Sequence, residues 1–267
     1  MNNRKPDAKL VGLARALSKL GFCSRSQAAK LIRAGRVRLN GATRRDPEAP
    51  VRLALDRIEV DRSEVAAESK IYVALNKPRG VVTTASDEKG RRTVYSLLGE
   101  NLPWVGPVGR LDKASEGLLL LTNDSEWAAR IASPDSHLDK TYHVQVGTPD
   151  GEALSAHLRK GVPAGGELLR AKRASILRRG EKNSWLEIVL DEGKNRQIRR
   201  MVEHFQIDVL RLIRVAIGPL PLGQLAKGSW RPLTVSERLA LDSAAEVYRD
   251  RATISGSEGA RVRREAE

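Results

Sequence analysis

The run Gly117-Leu-Leu-Leu-Leu-Thr122 constrains the fold more than any other stretch of the chain. Four consecutive leucines are too apolar for an exposed loop, and the run is far short of the ~18 apolar residues that a membrane-spanning helix needs. It predicts a buried strand. The residues that lead into it, Gly106 to Asp124, read GPVGRLDKASEGLLLLTND, so a Gly-Arg-Leu-Asp turn lies at the rim of the core and places a single carboxylate, Asp112, there. A carboxylate at such a rim is partly desolvated and calls for a cationic partner.

The best cation lies in GKNRQIRRM, Gly193 to Met201. Ile198, Met201, Val202 and Phe205 form the apolar stripe of a helix expected over about 195–205. At roughly 100° per residue Arg199 falls on the border of that stripe, where a guanidinium can lean into a cleft and pair with Asp112. Arg196 and Arg200 point further towards solvent and read as phosphate-gripping cations. Tyr142, in KTYHVQV, opens an alternating strand; its ring either packs in the core or offers a face on which an exposed base can stack. Arg110, two residues before Asp112, reads as a phosphate contact or as a side chain that fills the gap left by a displaced base.

Charge narrows the partner. The 267 residues carry a formal net charge of +14, which favours polyanions and puts nucleic acid first. Residues 1–62 hold 15 Lys and Arg against 6 Asp and Glu, so +9 of that charge sits in less than a quarter of the chain. The lone Cys23 excludes an internal disulfide, and His137, His143, His157 and His204 are scattered without metal-ligand spacing. No apolar leader precedes residue 10, so the chain is expected in the cytoplasm, away from membranes.

Within the basic region, Leu10, Leu13, Ala14, Leu17 and Leu20 mark one face of a helix from Lys9 that stops at Gly21. Ser24 and Gln27 form a capping box for a second helix that ends at Gly35. RVRLNG, with its Asn-Gly turn, and VRLALDRIEV are read as strands. Arg25, Lys30, Arg33, Arg36 and Arg38 are spread over this module. The stretch LSKLGFCSRSQAAKLIRAGRVRLNG resembles the RNA-binding module of ribosomal protein S-four, which implies RNA-contacting roles for these basic side chains.

The expected layout is an RNA-binding domain over 8–62, a polar linker over 63–70 (SEVAAESK), a catalytic domain over 71–242 and a disordered basic tail over 243–267. In the larger domain, IYVALNKP, GLLLLT, KTYHVQVG, SWLEIVLD and DVLRLIRV are strand-like, and a further helix is expected over about 124–132, capped by Asn123 or Asp124. Strands outnumber helices with no βαβ rhythm, which predicts an α+β fold around a mainly antiparallel or mixed sheet.

Order along the chain adds what no single motif carries. LNKPRGVV, then GRLD with SEGLLLLTND, then KTY, then GKNRQIRRM, behind an S-four-like module, is similar to the ribosomal RNA pseudouridine synthases over roughly residues 9–235. The resemblance implies that Asp112 is the catalytic aspartate, Tyr142 the ring that stacks on the target uracil and Arg199 the salt-bridge partner of the aspartate. It further implies that Ile198 borders the base and that Arg110 enters the RNA stack as the nucleotide flips. Lys113 and Ala114 stand where many relatives carry an acidic or aromatic residue and then Asp or Thr. An isomerisation needs no redox or group-carrying cofactor, and no metal is expected. The implied partner is ribosomal RNA or a pre-ribosomal particle, with the large subunit favoured, and the chain is expected to act as a monomer. Two rival readings are a non-catalytic ribosome assembly factor and a two-carboxylate glycosidic hydrolase using Glu116 or Asp124 beside Asp112.

Overall fold

The computed structural model describes residues 10–85, 87–99 and 102–246. These form two compact units: residues 10–72 with 99–106 and 121–127, and residues 73–98, 107–120 and 128–246. No helix among the described residues is long and apolar enough to cross a membrane.

In the first unit, helices Leu13–Lys19 and Arg25–Arg33 pack beside a four-stranded antiparallel sheet ordered Ala42–Arg44, Val37–Leu39, Ile58–Val60, Ser63–Glu64. Leu13, Leu17, Ala28, Ile32, Val37 and Ile58 make its core. The capping box is present: Ser24 Oγ accepts from Gln27 N at 3.1 Å, and Ser24 N donates to Gln27 Oε1 at 3.0 Å. Asn40 and Gly41, both at positive φ (52° and 81°), make the tight hairpin turn that an Asn-Gly pair favours.

Three expectations shift here. The first helix starts at Leu13 rather than Lys9, because Val11–Gly12 pairs as a short strand with Pro50–Val51. VRLALDRIEV supplies two short strands, Pro50–Val51 and Ile58–Val60, since Asp56 ties a turn between them by accepting from Arg52 N at 2.7 Å. The stretch expected as linker begins with Ser63–Glu64, which takes up the sheet edge beside Ile58–Val60.

The second unit is built on a nine-stranded mixed sheet. Its path runs Arg173–Arg179, Ser184–Leu190, Lys140–Val146, Val209–Ile217, Glu116–Thr122, Tyr72–Lys77, Trp230–Pro232, with Gly106–Val108 and Leu220–Pro221 attached to its centre. Every residue of Glu116–Thr122 is buried, as the leucine run requires. Val209–Ile217 is the turning point of the sheet: antiparallel to Lys140–Val146 on one side and parallel to Glu116–Thr122 on the other. The parallel step depends on Gly117, whose φ is +101° and whose added Cβ would stand 2.2 Å from the carbonyl oxygen of Arg214.

Helix Gly151–Lys160 belongs to this core and was not among the expected elements. Asp150 caps it by accepting from Ala153 N at 3.1 Å, and Leu154 and Leu158 pack with Val144, Val146, Leu186, Ile188, Met201 and Val202. The helix expected over about 195–205 spans Gln197–Glu203, and the one expected over 124–132 spans Ser125–Ala132, with Asp124 Oδ1 accepting from Trp127 N at 3.1 Å. The strand Arg173–Arg179 escapes pattern reading because most of its side chains are exposed, which leaves no clear alternation. Residues 243–246, expected to open the tail, belong instead to a helix over 235–246 that buries Leu241 and Ala245. Residues 247–267 lie outside the described residues.

Candidate active site

Asp112 opens a tight turn closed by Ser115 N donating to the Asp112 carbonyl at 3.0 Å. Four side chains or backbone groups from elsewhere in the same unit pin this turn. Lys77, wholly buried, donates from Nζ to the Ser115 carbonyl at 2.8 Å; Gly80 N donates to the Lys113 carbonyl at 2.7 Å. Thr83 Oγ1 donates to the Leu111 carbonyl at 2.8 Å, and Arg199 Nη2 donates to the Ala114 carbonyl at 3.1 Å. The LNKPRGVVT segment thus braces the backbone from Leu111 to Ser115. The half-buried Asp112 side chain makes no hydrogen bond or ion pair within the described residues, so its carboxylate is held by its backbone and left available.

Arg199 differs from expectation in one respect. It is buried, as a border position on the helix allows, but its guanidinium is engaged by the carbonyls of Ala114 and, at 3.4 Å, Val209 rather than by a direct ion pair with Asp112. Backbone carbonyls left by the turn and by the strand end compete for the same fork of donors. Burial depresses the Arg199 pKa, Arg196 adds to that, and the negative charge of Asp112 partly restores it. The electrostatic coupling to Asp112 therefore exists without contact. Lys77 feels the same carboxylate: burial pushes its pKa down to about 8, against the pull of Asp112 and Glu116.

Asp112, Arg110, Tyr142, Ile198, Arg199 and Arg196 line one cavity of about 520 Å³, within the usual range for a small-molecule site. Arg110 is exposed at its edge. Tyr142 is half-buried on strand Lys140–Val146, backed by the apolar cluster that contains Ile198. Arg196 stands at the start of its helix with φ 48°, a backbone conformation that non-glycine residues seldom adopt and that turns its exposed side chain to Glu203 at 3.1 Å. Arg200 does not join them. It is tied to Glu167 Oε1 at 2.9 Å and to the Ala164 carbonyl, so the solvated, phosphate-facing position expected for it is not the one it occupies. Arg25, Lys30, Arg33, Arg36 and Arg38 are all exposed on the first unit, with Arg36 paired to Asp61 through Nε at 2.8 Å.

The carboxylates of the hydrolase reading are occupied. Glu116 is buried and receives Lys227 and, at 3.3 Å, Arg211; burial raises its pKa, but these hydrogen bonds outweigh it and hold the group below the usual carboxylate value. Asp124 caps a helix. Sequence reading missed Lys77 and Thr83, although the segment that carries them stood out, because their role is a hydrogen bond to a turn some 30 residues away. It also missed Lys140 and Arg214, which line the same cavity from two strands.

Two family models match the chain: RNA pseudouridylate synthase over residues 71–204 and the S4 domain over residues 11–56. The chain belongs to the RNA pseudouridine synthase family and is an enzyme that isomerises uridine to pseudouridine. Among its relatives, an uncharacterized RNA pseudouridine synthase of Rickettsia bellii is 39% identical over 83% of this chain and 96% of its own length. The ribosomal large subunit pseudouridine synthase B of Bacillus subtilis is 36% identical over 88% of this chain and 96% of its own. A crystal structure of a pseudouridylate synthase matches with a TM-score of 0.62 and 32% identity, covering 86% of this chain and 99% of that one.

Proposed function

We propose that the protein isomerises a specific uridine of large-subunit ribosomal RNA, with Asp112 as the nucleophile. The observation that carries the reading is the meeting, in one cavity, of an unengaged carboxylate on a braced turn with an aromatic ring and an arginine from two other elements. The similarity to the Bacillus subtilis large-subunit enzyme supports the choice of RNA. In this reading Tyr142 stacks on the base and Ile198 borders it, while Arg199 fixes the turn of Asp112 and lends it positive charge. Arg110 fills the RNA stack when the nucleotide flips out, an extrusion that costs a few kcal/mol. The basic side chains of residues 8–62, with Arg196, offset that cost through phosphate contacts, and residues 71–242 carry the chemistry. The protein acts as a monomer in the cytoplasm, without a cofactor.

The reaction breaks the N-glycosidic bond, turns the detached uracil and joins its C5 to C1′ of the ribose. Asp112 holds the sugar, either by attack on C1′ or by promoting a glycal. The test is a map of pseudouridines in ribosomal RNA from a deletion strain complemented with wild type or Asp112→Ala. One large-subunit pseudouridine should vanish in the deletion, return with wild type and stay absent with the variant. Restoration by Asp112→Ala would refute the nucleophile, and an unchanged map would refute the ribosomal target.

A further inference from the structure

The cavity holds a cation that the reading above leaves without a role. Arg214 lies on Val209–Ile217 opposite Tyr142 of the neighbouring antiparallel strand, and it is only 6% exposed. The pair stands beside a β-bulge between Thr141 and Tyr142, and both side chains line the cavity. Arg214 Nε donates to the Leu118 carbonyl at 2.7 Å. Its Nη2 is buried with no hydrogen-bond partner within the described residues. No acid pairs with Arg214 among the described residues: Glu116 is committed to Arg211 and Lys227, Glu192 to Lys194 at 3.2 Å and Gln197 at 2.6 Å, and Asp112, which lines the same cavity, makes no ion pair.

A buried charge without a direct ion-pair partner is costly, and one donor to Leu118 does not account for a whole guanidinium. A glutamine or lysine would serve that stitch. The field of Arg214 reaches across the cavity floor: it helps burial to hold the pKa of both Lys140 and Lys77 down. A site built this way awaits an anion.

We propose that Arg214 stabilises the uracil anion released when the glycosidic bond breaks. The inference rests on the pseudouridine synthase reading. When C1′–N1 breaks, its electron pair leaves with the base, and the charge spreads over N1, O2 and O4. It persists until C5 bonds to C1′; C5 then loses its proton and N1 gains one, so the reaction balances without any co-reactant. A guanidinium stays protonated throughout, and a fixed cation in a water-poor cavity stabilises such charge far better than water does. The phosphates of the same nucleotide have other candidates in Arg110, Lys194 and Arg196 around the cavity.

The test is single-turnover cleavage of the target C1′–N1 bond, by the full chain, in ribosomal RNA transcribed with either UTP or 5-fluoro-UTP; C5 of the fluorinated base has no proton to lose, so cleavage rather than finished product is the readout common to both. Fluorine makes the departing base a more stable anion, so it should substitute in part for the missing cation. Arg214→Gln should slow loss of uridine about 100-fold, the scale of one lost oxyanion donor, with RNA affinity within about threefold of wild type. With 5-fluorouridine the deficit should fall below about tenfold. Arg214→Lys should recover much of the loss. An equal deficit on both RNAs would overturn the proposal in favour of a role in positioning the cavity floor rather than in stabilising the anion, and a parallel fall in RNA affinity would overturn it in favour of a phosphate contact. Should Arg214→Gln fail to fold, Arg214→Lys carries the same comparison, and a deficit that fluorine leaves unchanged sinks the idea. A wild type inert on this RNA defeats the ribosomal reading itself, whereas an active wild type with an unimpaired Arg214→Gln defeats this inference alone.

Discussion

Lys77 shows how one residue couples stability to the site. Its ammonium is wholly buried under the Asp112 turn, and its pKa of about 8 lies well below the ordinary value of 10.5. The unfolded chain therefore binds this proton more tightly than the folded one, and stability must rise with pH wherever the two states differ in protonation. Below pH 8 both states are charged and the full penalty stands; between about pH 8 and 10.5 it fades; above that both are neutral. Urea midpoints of wild type and Lys77→Met, measured at pH 7.5 and 10, should show wild type gaining on the variant by on the order of 2 to 3 kcal/mol. A pH-independent difference would mean that Lys77 titrates normally. Legibility at this scale was uneven. Asp112 and Arg199 stood out because each breaks a local pattern, a charge at a core rim and a cation on a stripe border, whereas Tyr142 took its role from the family resemblance. Lys77 and Arg214 did not, because a lysine or arginine in a strand looks like a solvated side chain until its neighbours are known.

Gly117 makes the case for the element. It sits in the strand whose leucines announce burial, and its φ of +101° lets Glu116–Thr122 run parallel to Val209–Ile217 with the Arg214 carbonyl pressed against it. Gly117→Ala would force a Cβ to 2.2 Å from that oxygen, at a backbone conformation hostile to alanine. A loss of more than about 3 kcal/mol is expected, read as a lowered urea midpoint or as failure to accumulate soluble protein. Near-wild-type stability would show that the parallel step tolerates separation. Elements with a clean period or a cap were legible: the Ser24 capping box, the Asn40-Gly41 turn and the five long strands. Helix Gly151–Lys160 was overlooked despite Asp150 at its cap, because its few leucines sit among charged and small residues.

For the molecule as a whole, the governing quantity is the charge of +14. Arg25, Lys30, Arg33 and Arg38 are exposed and appear in no ion pair among the described residues, so they remain available to displace counterions from RNA phosphates. Affinity for ribosomal RNA should fall at least tenfold between about 50 and 200 mM salt. Replacing Arg25, Lys30 and Arg33 with glutamine should flatten the slope of log affinity against log salt by roughly two units while leaving the Asp112 chemistry intact. Filter binding across a salt series checks this; an unchanged slope would move the RNA footprint off these side chains.

What the amino-acid order settled by itself is what depends on near neighbours along the chain: that the strongly patterned segments are strands, where the Ser24 and Asp124 caps fall, that Glu116–Thr122 is interior, and that the net charge favours a polyanion. Pairing across the chain was left to tertiary structure. Only the fold hands the Arg199 fork to the Ala114 carbonyl instead of to Asp112, ties Arg200 to Glu167, and buries Arg214 beside Tyr142 without an ion pair among the described residues. A side chain's electrostatic role is set by whatever lies within a few ångströms of it, and for groups 30 to 100 residues apart that distance exists only once the sheet has closed.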